Sequence, residues 1–271
     1  MALCSGWSLL WLAGGLLWLQ SALAATAKPL PDAPPGPPPD PPSDPLGSVQ
    51  WPHMAEVLLA GHPIVFDEGV RILAPHSAEN AREVPLLVDA GAIDGVSRML
   101  VFADLNPLPK IIEYEPRDGA RAVLGFRFKV QQSTPIHAAV LAGDGVWHVG
   151  GVWLEAAGGG CTLPSFASGE EAWVAHLGEV SAGLWPRPDG ERLRFRVIHP
   201  MDTGLAPGIP VFHITQIQVM DEAGRELGLI RPYEPVAENP LFSLDLAVTG
   251  PVRLQGRDNN GNRFAALVEP R

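Results

Sequence analysis

Cysteine is nearly absent from this sequence, whose 271 residues hold only Cys4 and Cys161. Positive charge is scarce as well, with 19 Lys and Arg against 30 Asp and Glu and a formal net charge of −11. Such a chain lacks the clustered cations that hold nucleic-acid backbones or anionic membrane surfaces, so neither is the expected partner. Charged residues make up 18% and hydrophobic residues 46%, a balance that excludes disorder of the whole chain. No phosphate-binding glycine loop or dinucleotide fingerprint is present. The histidines at 53, 62, 76, 137, 148, 176 and 213 show no metal-ligand spacing, so structural or surface roles are expected for them and no cofactor is called for.

What the chain does contain begins with an apolar run, Leu9 to Leu19, closing on the small-x-small pattern Ala22-Leu23-Ala24. It reads as an export signal over residues 1–24, too short for a membrane span, and no later stretch approaches spanning length. Cleavage there removes Cys4 and leaves Cys161 as a single thiol with no intramolecular partner. The next interval, 25–46, is a proline-rich tether: ten of the seventeen residues from Pro29 to Pro45 are proline, a polyproline-II spacer that cannot build a core. Trp51, Met54, Val57 and Leu58 then fall at helical spacing, a short helix expected to cap a sandwich.

Short β-rich runs follow, separated by Pro, Gly, Asn and Asp: 70–74, 84–88, 99–102, 111–114, 126–130, 136–141 and 146–154. Ser168 and Glu171 make a capping-box pattern ahead of Trp173, Val174, Leu177, Val180 and Leu184, which predicts a helical linker over 165–190. Beyond it Leu193, Phe195 and Val197 alternate with Arg192, Arg194 and Arg196, giving a strand with one apolar and one basic face. That basic stripe has two readings, a solvated strand face or a seat for an anionic substrate. Asp221–Gly224 and Asp258–Gly261 read as hairpin turns. The expected class is all-β: two β-sandwich domains, 47–164 and 191–271, joined by the helical linker.

Cys161 follows Gly158, Gly159 and Gly160 directly. Three glycines offer no side chains to bury a sulfur, so an exposed thiol on a flexible arm of Gly158, Gly159, Gly160 and Thr162 is expected, lifted on the order of 10 Å from the last strand. The nearest charges in sequence, Glu155 and Glu170, do not favour a thiolate. His199 with Asp202 offers an acid-base pair or a loop at a domain interface, and Cys161 with His148 or His176 offers a thiol nucleophile. A glycine arm is poorly suited to hold a nucleophile in fixed geometry.

The segment Val70 to Asn80 with Val84-Pro85, together with the glycine-cysteine run, resembles the sulfur-carrier protein SoxY. His199-Pro-Met-Asp-Thr-Gly204, Ile209-Pro210, His213-Ile214, Glu238-Asn-Pro240 and Asp258 to Gly261 resemble SoxZ in the expected order. The chain is thus similar to fused SoxYZ-like carriers, a group named for association with quinoprotein dehydrogenases. The resemblance implies that both sandwiches are immunoglobulin-like β-sandwich domains, and it implies a periplasmic, non-enzymatic carrier with Cys161 as covalent attachment site and no catalytic or metal-ligating residue. Its implied partners are periplasmic oxidoreductases or other Sox-like enzymes, and a quinoprotein dehydrogenase. In SoxY the arm ends the chain at Gly-Gly-Cys-Gly-Gly, whereas Thr162-Leu163-Pro164 follows the cysteine here and the chain continues. The alternatives are an accessory binding module in which Cys161 is dispensable, or a thiol enzyme.

Overall fold

The computed structural model describes residues 40–165 and 174–270; the expected signal peptide and the tether up to residue 39 lie outside them. The strands form where apolar residues alternate. In Gly190–Val197 (β11) Leu193, Phe195 and Val197 turn inward and the arginines outward. The first half supplies Ile64–Phe66 (β1), Arg71–Leu73 (β2), Ser77–Ala78 (β3), Val84–Asp89 (β4), Arg98–Ala103 (β5), Lys110–Pro116 (β6), Ala120–Phe128 (β7), Thr134–Leu141 (β8) and Trp147–Ala156 (β9). The second half supplies Val180–Arg187 (β10), β11, Ile214–Asp221 (β12), Glu226–Pro232 (β13), Leu241–Leu246 (β14), Val252–Asp258 (β15) and Arg263–Val268 (β16). The all-β class expected from sequence is the class observed.

Two sheets face each other. One runs β1-β9-β8-β5-β6-β13-β12-β15-β16, with β3 paired beside β9, and the other runs β10-β11-β14-β7-β4-β2. Both cross from one half of the chain to the other. Antiparallel β6 and β13 join in the larger sheet with Tyr114 opposite Ile230, and β7 and β14 join in the smaller one with Leu124 opposite Leu244. One hydrophobic core therefore spans both halves, taking Tyr114, Leu124 and Phe128 from the first and Leu193, Phe195 and Phe242 from the second. The two sandwich halves meet edge to edge rather than as separate bodies on a linker.

The expected helical linker is corrected. Residues 166–173, with Ser168, Glu171 and Trp173, lie outside the described residues, but Val180 and Leu184 belong to β10, which pairs in register with β11 from Val180↔Val197 to Arg187↔Gly190. Val180, Ala182 and Leu184 fit a period of two as well as Val180 and Leu184 fit a helical turn, and the neighbouring strand decides between them.

The short helix does form, as Trp51–Leu58 (α1), with Pro52 in its first turn, where a missing N–H costs nothing. Its buried face is Trp51, Met54 and Ala55, continued by Leu59, while Val57 is exposed. It covers the outer face of the larger sheet over Leu100, Phe102, Ala139, Trp147 and Val149, which explains why β8 is buried on both faces. The end of the tether docks here too, because Trp51 Nε1 donates to Pro42 O at 2.8 Å.

Beneath α1 lies a polar knot that sequence reading left as an ordinary histidine. His137 on β8 is fully buried, with Nδ1 2.9 Å from Asp104 Oδ1 and Nε2 3.1 Å from Asp44 Oδ1. Ser48 Oγ donates to Asp104 as well. Burial pulls the His137 pKa down, but the two carboxylates outweigh it and hold the ring above its ordinary value. A histidine whose folded pKa is raised contributes its full stabilisation below its unfolded pKa, about 6.5, and loses it as pH rises through the folded value. His137→Gln should therefore destabilise the protein by about 3 kcal/mol near pH 6. In urea melts from pH 6 to 9, the gap between wild type and variant should narrow as pH rises; a gap that is constant or widens contradicts the imidazolium assignment.

Candidate functional site

After β9 the chain turns back across the seam between the halves. Gly158 and Gly159 take φ values of +103° and +89°, the left-handed region that glycine enters at little cost. At Gly160 the requirement is space, since a Cβ there would lie 1.9 Å from Ala81 O and 2.6 Å from Val130 O. The segment is pinned by Gly159 N–H to Gln131 O at 3.2 Å and Gly160 N–H to Val130 O at 2.9 Å. The glycines thus serve close packing against the strand end, and the exposed, flexible arm expected from them is corrected.

Cys161 itself is fully buried. Its thiol donates to Lys129 O at 3.4 Å and its backbone N–H to Gln131 Oε1 at 3.2 Å. From the second half, Thr203 Oγ1 donates to Cys161 O at 2.7 Å. Thr162 is exposed, with its hydroxyl 3.4 Å from Gln131 Oε1. Two further contacts hold the outgoing strand of the loop: Arg82 Nη2 donates to Pro164 O at 2.6 Å, and Asp202 accepts both the N–H of Ser165 at 2.9 Å and its hydroxyl at 3.2 Å. Residues of both halves therefore hold the segment that carries the thiol.

Lys129 is the hub of this site, and no sequence pattern singled it out beyond alternation on a strand. It is buried, its ammonium donating to the carbonyls of Met201 and, at 3.3 Å, Glu234, so its side chain crosses the seam while its own carbonyl receives the thiol. Burial pushes the Cys161 thiol up to about 11 against the opposing pull of the Lys129 charge. Burial likewise brings Lys129 down to about 8, against the charges of Cys161, Asp202 and Glu238. At pH 8 a thiol of pKa about 11 is thiolate in roughly one molecule per thousand, so this conformation protects the sulfur from chemistry.

The other sequence candidates separate. Asp202 is the anchor for Ser165 just described. His199 accepts the Met201 N–H at Nδ1, 3.1 Å away, which places its proton on Nε2, 3.5 Å from Asp258 Oδ2. Burial lowers its pKa to about 4, so the ring is neutral at pH 7 and shapes the loop under Cys161. His148 is held by Asp67 at 2.7 Å and Asp144 at 3.0 Å, and His176 by Glu179 at 2.7 Å. Neither is brought to the cysteine. Asp44, Asp104 and His137 form the one tight group of metal-type ligands among the described residues, but both ring nitrogens are already directed at different carboxylates.

A family model described as "Sulfur oxidation protein SoxY" matches residues 55–161, less than half of the chain, and the match ends on Cys161. Among solved structures, the "sulfur carrier protein SoxY from Chlorobium limicola f thiosulfatophilum" is similar, at 22% identity over 40% of this chain and 96% of that one, with a TM-score of 0.33. No curated protein matches. Among the described residues no helix is long and apolar enough to cross a membrane.

In native protein at pH 8, alkylation of Cys161 should run at least about a hundredfold slower than in denaturant, consistent with burial and a raised pKa. Gly160→Ala, which forces the segment off Ala81 O, and Thr203→Val, which removes the hydrogen bond from the second half, should each raise the native rate about tenfold with the unfolding transition still cooperative. Labelling of the wild type at the rate of a free thiol would refute the stowed position.

Proposed function

We propose that this chain is a non-enzymatic covalent carrier that holds a sulfur or other thiol-bound intermediate on Cys161 and passes it between partner enzymes. The observation that carries the reading is the likeness of residues 55–161 to a SoxY sulfur-oxidation family, ending on the only cysteine that survives the expected cleavage. The stowed thiol then corresponds to the unloaded state. Loading requires the 158–165 segment to lift away from Gln131, Lys129 and Thr203, contacts that are each worth about 1 kcal/mol net. A partner that binds the lifted segment supplies that energy by binding only the open form. Joining the thiol to an incoming sulfur anion forms one S–S bond, releasing one proton and two electrons, which a partner oxidoreductase accepts. Discharge is exchange of the same bond with a thiolate of a second enzyme, which forms a new S–S bond to the cargo sulfur while Cys161 leaves as thiolate and takes up a proton. The periplasm, which the expected export signal implies, is where such oxidoreductases would be met, and a quinoprotein dehydrogenase is the specific partner class suggested by the resemblance.

One observation favours a second reading. Complete burial of Cys161 suits an accessory module that binds a dehydrogenase through its sheet surfaces and uses the cysteine only for packing. Intact mass of the protein purified from its native cells, with and without a thiol reductant, separates the two. The carrier should show a reductant-sensitive adduct on Cys161, and Cys161→Ser should abolish partner-dependent turnover. An unmodified thiol together with full activity of Cys161→Ser would establish the module instead.

A further inference from the structure

The outer face of the smaller sheet carries a cleft of about 310 Å³ beside the cysteine loop, and its walls are unusually cationic for so acidic a chain. Arg82, Arg127, Lys129 and Arg196 line it against only two carboxylates, Glu83 and Glu238. The geometry is built by strand register. Arg196 on β11 sits opposite Leu241 on β14, and two residues beyond the Ser243–Gly125 pair of β14 and β7 lie Leu241 and Arg127. Arg127 and Arg196 thus flank Leu241 on one face of three neighbouring strands, about 10 Å apart at the backbone.

The carboxylates are already engaged. Glu83 takes Arg127 at 2.9 Å and Glu238 takes Arg82 at 3.7 Å. Arg196 forms no ion pair among the described residues and is exposed at the rim, while Lys129 forms a buried wall, with its ammonium given to two carbonyls that carry no charge. Arg196 therefore remains without a carboxylate partner among the described residues in a concave site, and beside it stands the Lys129 ammonium, which Asp202 and Glu238 oppose without a direct ion pair. Guanidinium forks offer paired N–H donors at the spacing of oxyanion oxygens, and a buried ammonium beside them strengthens the field. The basic strand face noted in the sequence divides accordingly: Arg192 is taken by Asp245 in a bidentate pair, and Arg194 lies 5.9 Å over the Trp185 ring. Only Arg196 is turned to the cleft.

We propose that this cleft is a non-covalent binding site for a small divalent oxyanion of the sulfate class. Two residues tie it to the cysteine loop. The carbonyl of Lys129 receives the thiol while its side chain lines the cleft, and Arg82 lines the cleft while its guanidinium holds Pro164 O. An anion that draws Arg82 toward itself competes with that hold, so occupancy and release of the loop are coupled.

The inference does not rest on Cys161 carrying anything, and the test keeps the two apart. Equilibrium dialysis of the full chain against radiolabelled sulfate, at constant ionic strength in chloride, should show one saturable site that perchlorate, tetrahedral but monovalent, displaces poorly. Arg196→Gln, on an exposed strand face where folding is unaffected, should weaken binding about tenfold, and Glu238→Gln should tighten it at least about twofold. Cys161→Ser should bind as the wild type does. Absence of saturable binding, or sulfate affinity indifferent to both Arg196→Gln and Glu238→Gln, overturns the proposal.

Discussion

Everything described here depends on two strand pairs, β6 with β13 and β7 with β14, that carry both sheets across the middle of the chain. Each half alone would present two open edges lined with unpaired backbone donors and acceptors, which proteins rarely leave exposed. Pairing them removes the edges and merges the apolar interiors into one core. The seam is also charged on its outer side, where Arg231 of β13 meets Glu113 and Glu115 of β6, and Glu113 collects Arg98 and Lys110 besides. Burial raises the Glu113 pKa, but its cationic neighbours outweigh that and hold it below the ordinary carboxylate range. These pairs reward one register, since sliding β13 by one residue would turn Arg231 into the core.

The cysteine site is a product of that seam. Its floor, Lys129 and Gln131, comes from the segment following β7, and its roof, Thr203 and Asp202, from the loop following β11. Lys129 is the physical link, a cation buried between the halves that is stabilised by carbonyl dipoles rather than by a direct carboxylate contact. Such a group is costly to bury, and the cost is offset while Met201 O of the loop 199–203 and Glu234 O stay seated against it.

Much of the architecture was legible in the sequence because it follows from short-range periodicity. The alternation in β11, the hairpins around 221–224 and 258–261, and the helical spacing from Trp51 all act within a few residues. The misreadings lie where two local patterns compete or where the deciding neighbour is distant. Val180 to Leu184 satisfied both periods until β11 was placed beside it. Gly158 to Gly160 are equally compatible with mobility and with close approach, and it is carbonyls distant in sequence, Gln131 O at Gly158 and Val130 O and Ala81 O at Gly160, that show which one applies. His137 looked ordinary because Asp44 and Asp104 reach it from separate segments, and Lys129 because nothing in its neighbourhood of the chain announces burial.

The edge-to-edge seam has a consequence for stoichiometry. When two such halves are separate molecules, the completed cysteine site exists only to the extent that they associate, and dilution empties it. Here they are covalently one chain, so closure of the seam is a first-order event governed by a fixed effective concentration. The roof and floor around Cys161 are then present in a one-to-one ratio in every folded molecule, at any protein level.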